Sequence, residues 1–479
     1  MKYELPKSEL PLYRNALDWD RYFHDYPVPD VWANSMFMWP AERIRELQNE
    51  RFLRVVTDGW NNPFYRRRWT AAGLEPGDIK SLADVVKLPL FNSDDIKEDQ
   101  RLHPPFGEIQ GITPDQFKNQ PLKIHTSGGT TGTPRPTLFG PLEWEVNANS
   151  CARGLYLVGG RPGDIIQIPS TCSLANVGWA YYKGCHDYLG ILPLTTGSGV
   201  VTASRRQLDI AFEWGTNLWM SFPEYLMQLA KVSKDELKRD IRELKTKLLV
   251  TFLGPDTEGS LRKELEALWG CPVYDLYGTH ETGLAAFEGP ERDGLYFHED
   301  LMYLEVTDVE TGEPVPTGET GNLVVTLFHR RIPPLIRFNL RDLARIVSTE
   351  KSSIGSSFRR MDHFLGRSDD MVKLRGVNTY PMQCLSAIKS DVRTTGEWIC
   401  IVDRVRVEGV MRDEMTVRVE VRKDAASTEG LEAHLQKRLK EDLGVKVNIE
   451  LVPDGSLAEM ANIGREGKAK RLLDRRYKT

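Results

Sequence analysis

A run of small and hydroxylated residues, from Thr126 to Arg135, is the segment of this chain whose residue types best suit chemistry. It reads Thr-Ser-Gly-Gly-Thr-Thr-Gly-Thr-Pro-Arg and follows the short stretch 122–124. Glycines let backbone N–H groups approach an anion closely, and hydroxyls add donors without bulk. The pattern predicts a phosphate-binding loop, although it matches neither G-x-x-x-x-G-K-[ST] nor G-x-G-x-x-G. An ordinary polar loop remains the alternative for this segment taken alone.

A second segment, Asp275 to Gly283, follows a strand-like stretch and combines a tyrosine, a histidine and two carboxylates. His280-Glu281 is similar to the first half of the zinc-binding H-E-x-x-H pattern, but the second histidine would fall at Leu284. That zinc interpretation therefore fails, and a lone histidine is more often structural than a ligand.

Three further segments are polar and weak when taken singly. Residues 337–342 read Arg-Phe-Asn-Leu-Arg-Asp and are ordinary ion-pair candidates. Residues 366–376, from Gly-Arg-Ser-Asp-Asp to Arg-Gly, are typical of a polar linker between domains. Residues 466–471, Glu-Gly-Lys-Ala-Lys-Arg, belong to a basic C-terminal stretch for which a solvated tail is the simplest interpretation.

The elements that must position these segments follow from hydrophobic periodicity. Between about 120 and 290, short apolar runs alternate with helical patterns, which predicts an α/β domain with a largely parallel sheet. After about 295 the chain becomes richer in strand patterns. Beyond 370, alternating strands flank a helix on which leucines recur every four residues, from Leu431 to Leu443, before Gly444 ends it. This section predicts a smaller α+β domain.

Composition argues against several classes of protein. The chain has 479 residues, with 63 Lys+Arg against 68 Asp+Glu and a net charge of -5, which argues against a dedicated nucleic-acid binder. We expect no membrane span, because no apolar run approaches about 18 residues. The six cysteines are scattered without a C-x-x-C pair, which favours reduced thiols and a cytoplasmic location.

The order and spacing of the five segments together resemble the adenylate-forming superfamily of acyl-CoA synthetases, adenylation domains and luciferases. Within it, the chain looks most like the phenylacetate–CoA ligase branch, over the stretch from Asn62-Pro63 to the C-terminus. The resemblance implies a large α/β N-terminal domain of several subdomains at 1–368. It also implies a small, mobile α+β C-terminal domain at 369–479.

The resemblance assigns roles to individual residues. Tyr277 would stack near the adenine, Asp275 would meet the adenine amine, and Asp342 would bind the ribose. The full set of implied ATP-binding residues is Ser127, Gly128, Gly129, Thr130, Thr131, Gly132, Asp275, Tyr277, Gly278, Asp342 and Arg367.

The implied catalytic residues are Lys468, with Lys470 as a rival for its role, and Glu281, which would also bind Mg²⁺. Asp369 would be the hinge of the mobile domain. His280 stands where the family often has threonine, and Thr133 stands where it often has lysine. Some relatives carry a cysteine-rich metal site before the hinge; residues 352–357 contain no cysteine, so we expect no zinc.

The implied activity is ATP-dependent conversion of an aromatic or arylacetic acid to an acyl-adenylate, followed by transfer to coenzyme A. His280 and Phe222 are the candidate acid-binding residues. The alternative is an adenylating enzyme with another acceptor, such as an amine or a carrier-protein thiol, or one that adenylylates a cofactor. The implied partners are the acid, ATP, Mg²⁺ and coenzyme A, with neither nucleic acid nor membrane, and a homodimer stays open.

Overall fold

The computed structural model of the protein describes residues 9–126, 135–170, 172–254, 256, 259–375, 377–407, 410–461 and 470–476. The α-helices are α1 Trp19–Asp25, α2 Pro29–Ala33, α3 Ala41–Asn61, α4 Pro63–Ala71, α5 Ser93–Leu102, α6 Pro141–Leu157, α7 Val177–Lys183, α8 Ser204–Trp214, α9 Pro223–Asp235, α10 Ser260–Trp269, α11 Cys384–Lys389 and α12 Leu431–Leu443.

The strands are β1 Lys123–Thr126, β2 Pro136–Phe139, β3 Ile165–Gln167, β4 Leu192–Leu194, β5 Leu218–Met220, β6 Leu248–Thr251, β7 Val273–Thr279, β8 Gly283–Glu288, β9 Leu295–Phe297, β10 Met302–Thr307, β11 Thr320–Leu327, β12 Phe338–Ser348, β13 Arg360–Met361, β14 Gly366–Arg367, β15 Val372–Leu374, β16 Val377–Thr379, β17 Thr394–Val407, β18 Val410–Val421, β19 Asn448–Pro453 and β20 Leu472–Asp474. Among the described residues, no helix combines the length and the apolar character needed to cross a membrane.

The large sheet supports the site. Strands β4, β3, β5, β6 and β7 run parallel in that order, and β8 continues the sheet antiparallel to β7. All four residues of β6 are buried, as expected for a parallel strand covered on both faces. The sheet then extends through β9, β13, β12, β11 and β10, which agrees with the predicted change to a strand-rich section after 295.

A separate antiparallel hairpin carries the predicted phosphate loop. Strands β1 and β2 pair with Lys123 opposite Phe139 and Thr126 opposite Pro136. The eight-residue span 127–134 that joins them lies outside the described residues. Thr126, the last residue of β1, and Arg135, directly before β2, are the described residues on either side of that span.

The C-terminal unit has its own core. Strands β19, β18, β17 and β20 form one sheet, and the four leucines of α12 that share a face are fully or almost fully buried against it. The predicted helix is confirmed, and Gly444 follows it in the left-handed conformation. The solvated-tail interpretation is wrong for Leu472–Asp474, because β20 pairs in parallel with β17.

Packing changes abruptly at the junction of the two units. Gly366 and Arg367 pair with Leu343 and Asp342 of β12 in the large sheet. Val372, five residues after Arg367, is already buried in the core of the C-terminal unit. The predicted hinge residue, Asp369, lies within this short crossing.

Candidate functional site

A buried ion pair joins the hairpin to the Asp275–Gly283 segment. The guanidinium of Arg135, directly before β2, binds Oε1 of Glu281, and both side chains are about nine-tenths buried. Burial, and then the nearby charge of Arg367, lower the pKa of Arg135 to about 10. Arg330 adds a 2.8 Å hydrogen bond from Nη1 to the backbone oxygen of Glu281. The predicted metal ligand is therefore held at the start of β2 by two arginines.

A second network joins three segments that are distant in sequence. The hydroxyl of Tyr277 donates a 2.7 Å hydrogen bond to Oδ2 of Asp342, and Arg367 donates a 2.9 Å hydrogen bond to Oδ1 of the same carboxylate. Arg367 also binds Asp369 with two bonds of 2.7 Å. Three predicted nucleotide ligands and the predicted hinge thus form one connected chain.

Asp275 has a different environment from the one expected of an adenine ligand. It is 1% exposed, and its Oδ1 accepts hydrogen bonds of 2.8 Å from the backbone N–H groups of Leu253 and Leu276. Its Oδ2 lies 2.6 Å from Nδ1 of His363. The carboxylate therefore organises the loop after β6 and the His363 ring, and a direct contact with adenine stays a prediction.

The Asp275 carboxylate favours the protonated form of His363. Burial alone opposes the charged imidazolium, but the hydrogen bond and charge of Asp275 outweigh it and raise the pKa of His363 above its ordinary value. Phe364, the next residue, lies nearly parallel to Tyr277, with ring centroids 6.2 Å apart and an angle of 17° between the planes. Neither His363 nor Phe364 is among the residues predicted from the sequence, although both stand just before the recognised Gly366-Arg367 segment.

A cavity of about 1010 Å³ opens between these residues and the C-terminal unit. Tyr277, Gly278, Phe222 and Phe364 form part of its wall. Phe222 packs against Phe252, with ring centroids 5.5 Å apart. The opposite wall comes from the C-terminal unit and includes Lys389, Arg393, Trp398, Arg422 and Arg471. The cavity is large enough for a nucleotide-sized ligand.

Two glycines of the segment are required by close approaches. A Cβ atom on Gly278 would lie 2.3 Å from the backbone oxygen of Gly283, at the point where the β7–β8 register shifts. Gly283 has a φ of +65°, and a Cβ atom there would lie 2.0 Å from Oδ1 of Asn147. A side chain at Gly278 would displace the backbone of the turn that carries Glu281, and one at Gly283 would collide with Asn147 of α6.

His280 lies close to β1 of the hairpin. Its ring lies 6.4 Å from the ring of His125 on β1, and its Nε2 is buried without a hydrogen-bond partner within the described part of the chain. Burial, followed by the charges of Arg135 and Arg330, lowers the pKa of His280 to about 3. The imidazole is thus neutral at physiological pH, and its predicted role in binding the acid stays a prediction.

Most of the remaining predicted residues cannot be placed relative to this site. Ser127, Gly128, Gly129, Thr130, Thr131, Gly132 and the catalytic Lys468 lie outside the described residues. Lys470 is described, and its backbone N–H donates a 2.8 Å hydrogen bond to the backbone oxygen of Ala461.

Comparison with known proteins decides the family. The AMP-binding enzyme model matches residues 71–326, more than half of the chain, and the model for the AMP-binding enzyme C-terminal domain matches residues 376–476. The chain belongs to the AMP-binding enzyme family. The network around Tyr277 and Asp342 is therefore placed in an AMP-binding enzyme, as the resemblance of the motifs predicts.

Relatives within the AMP-binding enzyme family include the phenylacetate-coenzyme A ligase of Aromatoleum evansii. It is 31% identical over 91% of this chain and 96% of its own length. Among solved structures, 2-hydroxyisobutyryl-CoA ligase in the postadenylation state with 2-HIB-AMP is similar, with 27% identity and a TM-score of 0.80. The match covers 92% of this chain and 91% of that chain.

A second structure of that ligase is also similar but overlaps less fully. In complex with 2-HIB-AMP and CoA in the thioesterification state, it matches over the same share of both chains, with 28% identity and a TM-score of 0.66. Of these two structures of the ligase, the one in the postadenylation state has the higher TM-score.

Proposed function

We propose that this protein is an AMP-forming acid–CoA ligase that activates an aromatic or arylacetic acid. The carboxylate attacks the α-phosphorus of ATP to give an acyl-adenylate and pyrophosphate, and coenzyme A then displaces AMP to give the thioester. The observation that carries the proposal is the meeting of the phosphate-loop hairpin with Glu281, next to the Tyr277–Asp342–Arg367 network. The naming of the relatives as phenylacetate-coenzyme A ligases supports the acid class.

Charge repulsion is the main obstacle to the first step, because an anionic acid must approach a polyanionic nucleotide. Arg135 and Arg330 place two cationic groups around Glu281. Buried, pre-oriented cations stabilise developing charge better than mobile solvent does. Two oriented reactants need no nucleophilic side chain, because positioning supplies much of the rate.

The residues present fit a magnesium ion at Glu281. Its Oε1 forms the ion pair with Arg135, so Oε2 is the oxygen available to coordinate a cation. A single carboxylate together with phosphate oxygens and waters is a normal Mg²⁺ site, and bound Mg²⁺ would neutralise the phosphates as pyrophosphate departs.

The second step requires a change of domain arrangement, which we assign to the crossing at Asp369. Asp369 is exposed, and its carboxylate is held by Arg367 rather than by the C-terminal unit. Rotation there would turn a different face of the C-terminal unit toward the large domain. The face that carries Lys468 would leave, and one that admits a thiol would take its place. We propose that Lys468 stabilises the first step only.

The basic C-terminal end offers less charge to coenzyme A than its composition indicates. Arg476 binds Asp474 at 2.6 Å and Asp413 at 3.0 Å, and Arg475 lies 4.0 Å from Asp403. These arginines are engaged within the C-terminal unit, so a role in binding the coenzyme A phosphates would require them to exchange partners.

The test measures pyrophosphate release against a panel of aryl and arylacetic acids, with and without coenzyme A. The proposal expects acid-dependent release and a thioester product that appears only with coenzyme A. No acid-dependent release would overturn the enzyme assignment. Release without a thioester would instead favour another acceptor, such as an amine or a carrier-protein thiol.

A further inference from the structure

An arginine in a left-handed conformation lies beside the crossing between the two units, and the mechanism above does not use it. Between Asn322 and Val324 β11 advances two residues, while its partner β12 advances four, from Asn339 to Leu343, so β12 forms a bulge. Arg341, inside this bulge, has a φ of +60°. Residues with a side chain adopt this conformation at a cost, and such strained positions are concentrated at functional sites.

The backbone of Arg341 fixes the start of the crossing. Its N–H donates a 2.8 Å hydrogen bond to Oδ1 of Asn339 within the bulge. Its carbonyl oxygen accepts a 2.7 Å hydrogen bond from the N–H of Ser368 and a 3.2 Å hydrogen bond from the Ser368 hydroxyl. Ser368 directly precedes the predicted hinge residue, Asp369. These bonds use only the backbone of Arg341, so they do not explain why an arginine side chain stands at a strained position.

The guanidinium of Arg341 lies between two carboxylates from different parts of the chain. Its Nη1 is 2.7 Å from Oδ2 of Asp94, on α5, and 4.0 Å from Oδ2 of Asp369. The first distance is that of a hydrogen-bonded ion pair, whereas the second is at the outer limit of an ion pair. Asp94 therefore binds the guanidinium in this arrangement, and the hinge carboxylate is a second acceptor within reach.

The hinge carboxylate already has one close cationic partner. Arg367 donates hydrogen bonds of 2.7 Å to both oxygens of Asp369, and it also binds Asp342 of the large domain. A second guanidinium on Asp369 would add to the free energy needed to move this residue away from the large domain. While Arg341 binds Asp94, that additional restraint is weak.

We propose that Arg341 is a positioning residue for the hinge, and that Asp94 and Asp369 compete for its guanidinium. With Arg341 on Asp94, the crossing moves readily. With Arg341 on Asp369, two arginines hold the hinge carboxylate and rotation slows. Asp94 thereby sets how quickly the C-terminal unit changes its arrangement. The proposal rests on the proposed function, which assigns rotation at Asp369 to the thioester step.

A structural role for Asp94 in α5 is the competing explanation. Asp94 stands in the first turn of this helix, where a carboxylate is favoured by the helix dipole, and it also forms a 3.1 Å ion pair with Lys97. Loss of these interactions would have the same consequence whatever residues stand at 341 and 369. Combining the substitutions in double-variant cycles therefore separates the two explanations.

The first test compares Asp94→Asn in the wild type and in the Arg341→Gly background. Glycine adopts a φ of +60° without strain, so Arg341→Gly removes the side chain and leaves the bulge intact. In the wild type, Asp94→Asn should slow thioester formation from supplied acyl-adenylate by about three- to fivefold, the effect of one partly exposed ion pair. ATP–pyrophosphate exchange, which reports the first step, should change less than about twofold.

The Arg341→Gly background decides between the explanations. There Asp94→Asn should leave the thioester step unchanged, because no guanidinium is released to bind Asp369. The same slowing in both backgrounds, or no slowing in the wild type, would overturn the proposal.

The second test uses Asp369→Ala, which removes the competing carboxylate and leaves Arg341 in place. Asp94→Asn should have no effect in this background either. Lys97→Met is the matched control, because it removes the other ion pair of Asp94 at a side chain that is 63% exposed. It should leave both steps unchanged. Slowing by Lys97→Met equal to that by Asp94→Asn would assign the effect to α5 and overturn the proposal.

These outcomes are distinct from failure of the proposed function. If no acid of the panel supports pyrophosphate release, the adenylating activity is wrong and this proposal falls with it. If both steps proceed and Asp94→Asn acts equally in every background, the ligase activity stands and only the competition for Arg341 falls.

Discussion

The hydroxyl of Tyr277 and the carboxylate of Asp342 are joined by a 2.7 Å hydrogen bond, although the two residues lie 65 positions apart. Asp342 is 5% exposed, and Arg367 occupies its other oxygen. The carboxylate is thus fixed from two sides before any ligand arrives. The network is therefore preformed, and it supports the cavity wall through Tyr277, the member that lines the cavity. We expect its members to have separable contributions.

We expect Tyr277→Phe and Asp342→Ala to differ in severity. Removing the hydroxyl leaves Asp342 oriented by Arg367, so the KM for ATP should rise by only about fivefold, the effect of one hydrogen bond. Removing the carboxylate eliminates the proposed ribose contact and leaves Arg367 and the Tyr277 hydroxyl without this acceptor, so the KM for ATP should rise by about 10–100-fold. Pyrophosphate exchange at varied ATP measures both, and equal effects would contradict the separate roles.

The charges of Arg135 and Glu281 should be coupled in their effect on stability, and Glu281 should also be needed for activity. Arg135→Met or Glu281→Gln alone leaves one buried charge uncompensated, so each should lower the free energy of unfolding by about 3–5 kcal/mol. The double variant removes both charges and should recover much of that loss. Urea unfolding of the three variants measures this coupling.

Pyrophosphate release by the same three variants is the control for the stability measurements. The double variant should remain inactive in pyrophosphate release even where its stability recovers, because Glu281 is the proposed Mg²⁺ ligand. Recovery of activity together with stability would show that Glu281 serves only to balance Arg135.

The pair of His363 and Asp275 should make stability depend on pH. The pKa of folded His363 is raised, so its contribution is fully present below the unfolded value of about 6.5 and is lost as pH rises through the folded pKa. The difference in free energy of unfolding between the wild type and His363→Asn should therefore be largest near pH 6 and shrink toward pH 9. A difference that grows with pH would contradict the protonated assignment.

Motion at the crossing should be needed for the second step only. Proline fixes φ near −65°, so Asp369→Pro should restrict rotation while the large domain keeps its nucleotide network. We expect acid-dependent pyrophosphate release to persist and thioester formation to fall by about 10-fold or more. Asp369→Ala, which leaves the backbone free, is the control and should retain both steps.

Lys468→Ala should give the opposite pattern. Acyl-adenylate formation should collapse, while thioester formation from supplied acyl-adenylate persists, because the lysine neutralises charge in the first step alone. Equal loss of both steps would reject either the lysine assignment or the exchange of faces. Lys470→Ala serves as the comparison, because Lys470 is the rival for this role.

Local patterns predicted the elements well where one physical signal dominates. The leucine spacing of α12 specifies its buried face, and the apolar run of β6 matches a strand covered on both sides. Family resemblance assigned Tyr277 and Asp342 to one ligand, and a hydrogen bond joins the two side chains directly in the structure.

Those local patterns do not predict contacts between segments that are distant in sequence. Neither spacing nor periodicity indicates that Arg135 binds Glu281 or that His363 binds Asp275, since each pair forms only when separate strands meet. Arg337 forms a buried ion pair with Glu305, as the ion-pair interpretation of residues 337–342 predicts. It ties Val86 and Leu88 to the large domain through hydrogen bonds of 2.8 Å and 2.6 Å, whereas Asp342 of the same segment faces the site.

The most direct test of the acyl-adenylate mechanism follows a carboxylate oxygen of the acid into the products. With both carboxylate oxygens of the acid labelled with ¹⁸O, attack on the α-phosphorus places one labelled oxygen between carbon and phosphorus. The thiol of coenzyme A then breaks the carbon–oxygen bond, so that oxygen leaves with AMP. Mass spectrometry of a complete reaction should find AMP heavier by one ¹⁸O and a thioester that keeps the other. Unlabelled AMP, or ADP as the nucleotide product, would contradict the acyl-adenylate mechanism.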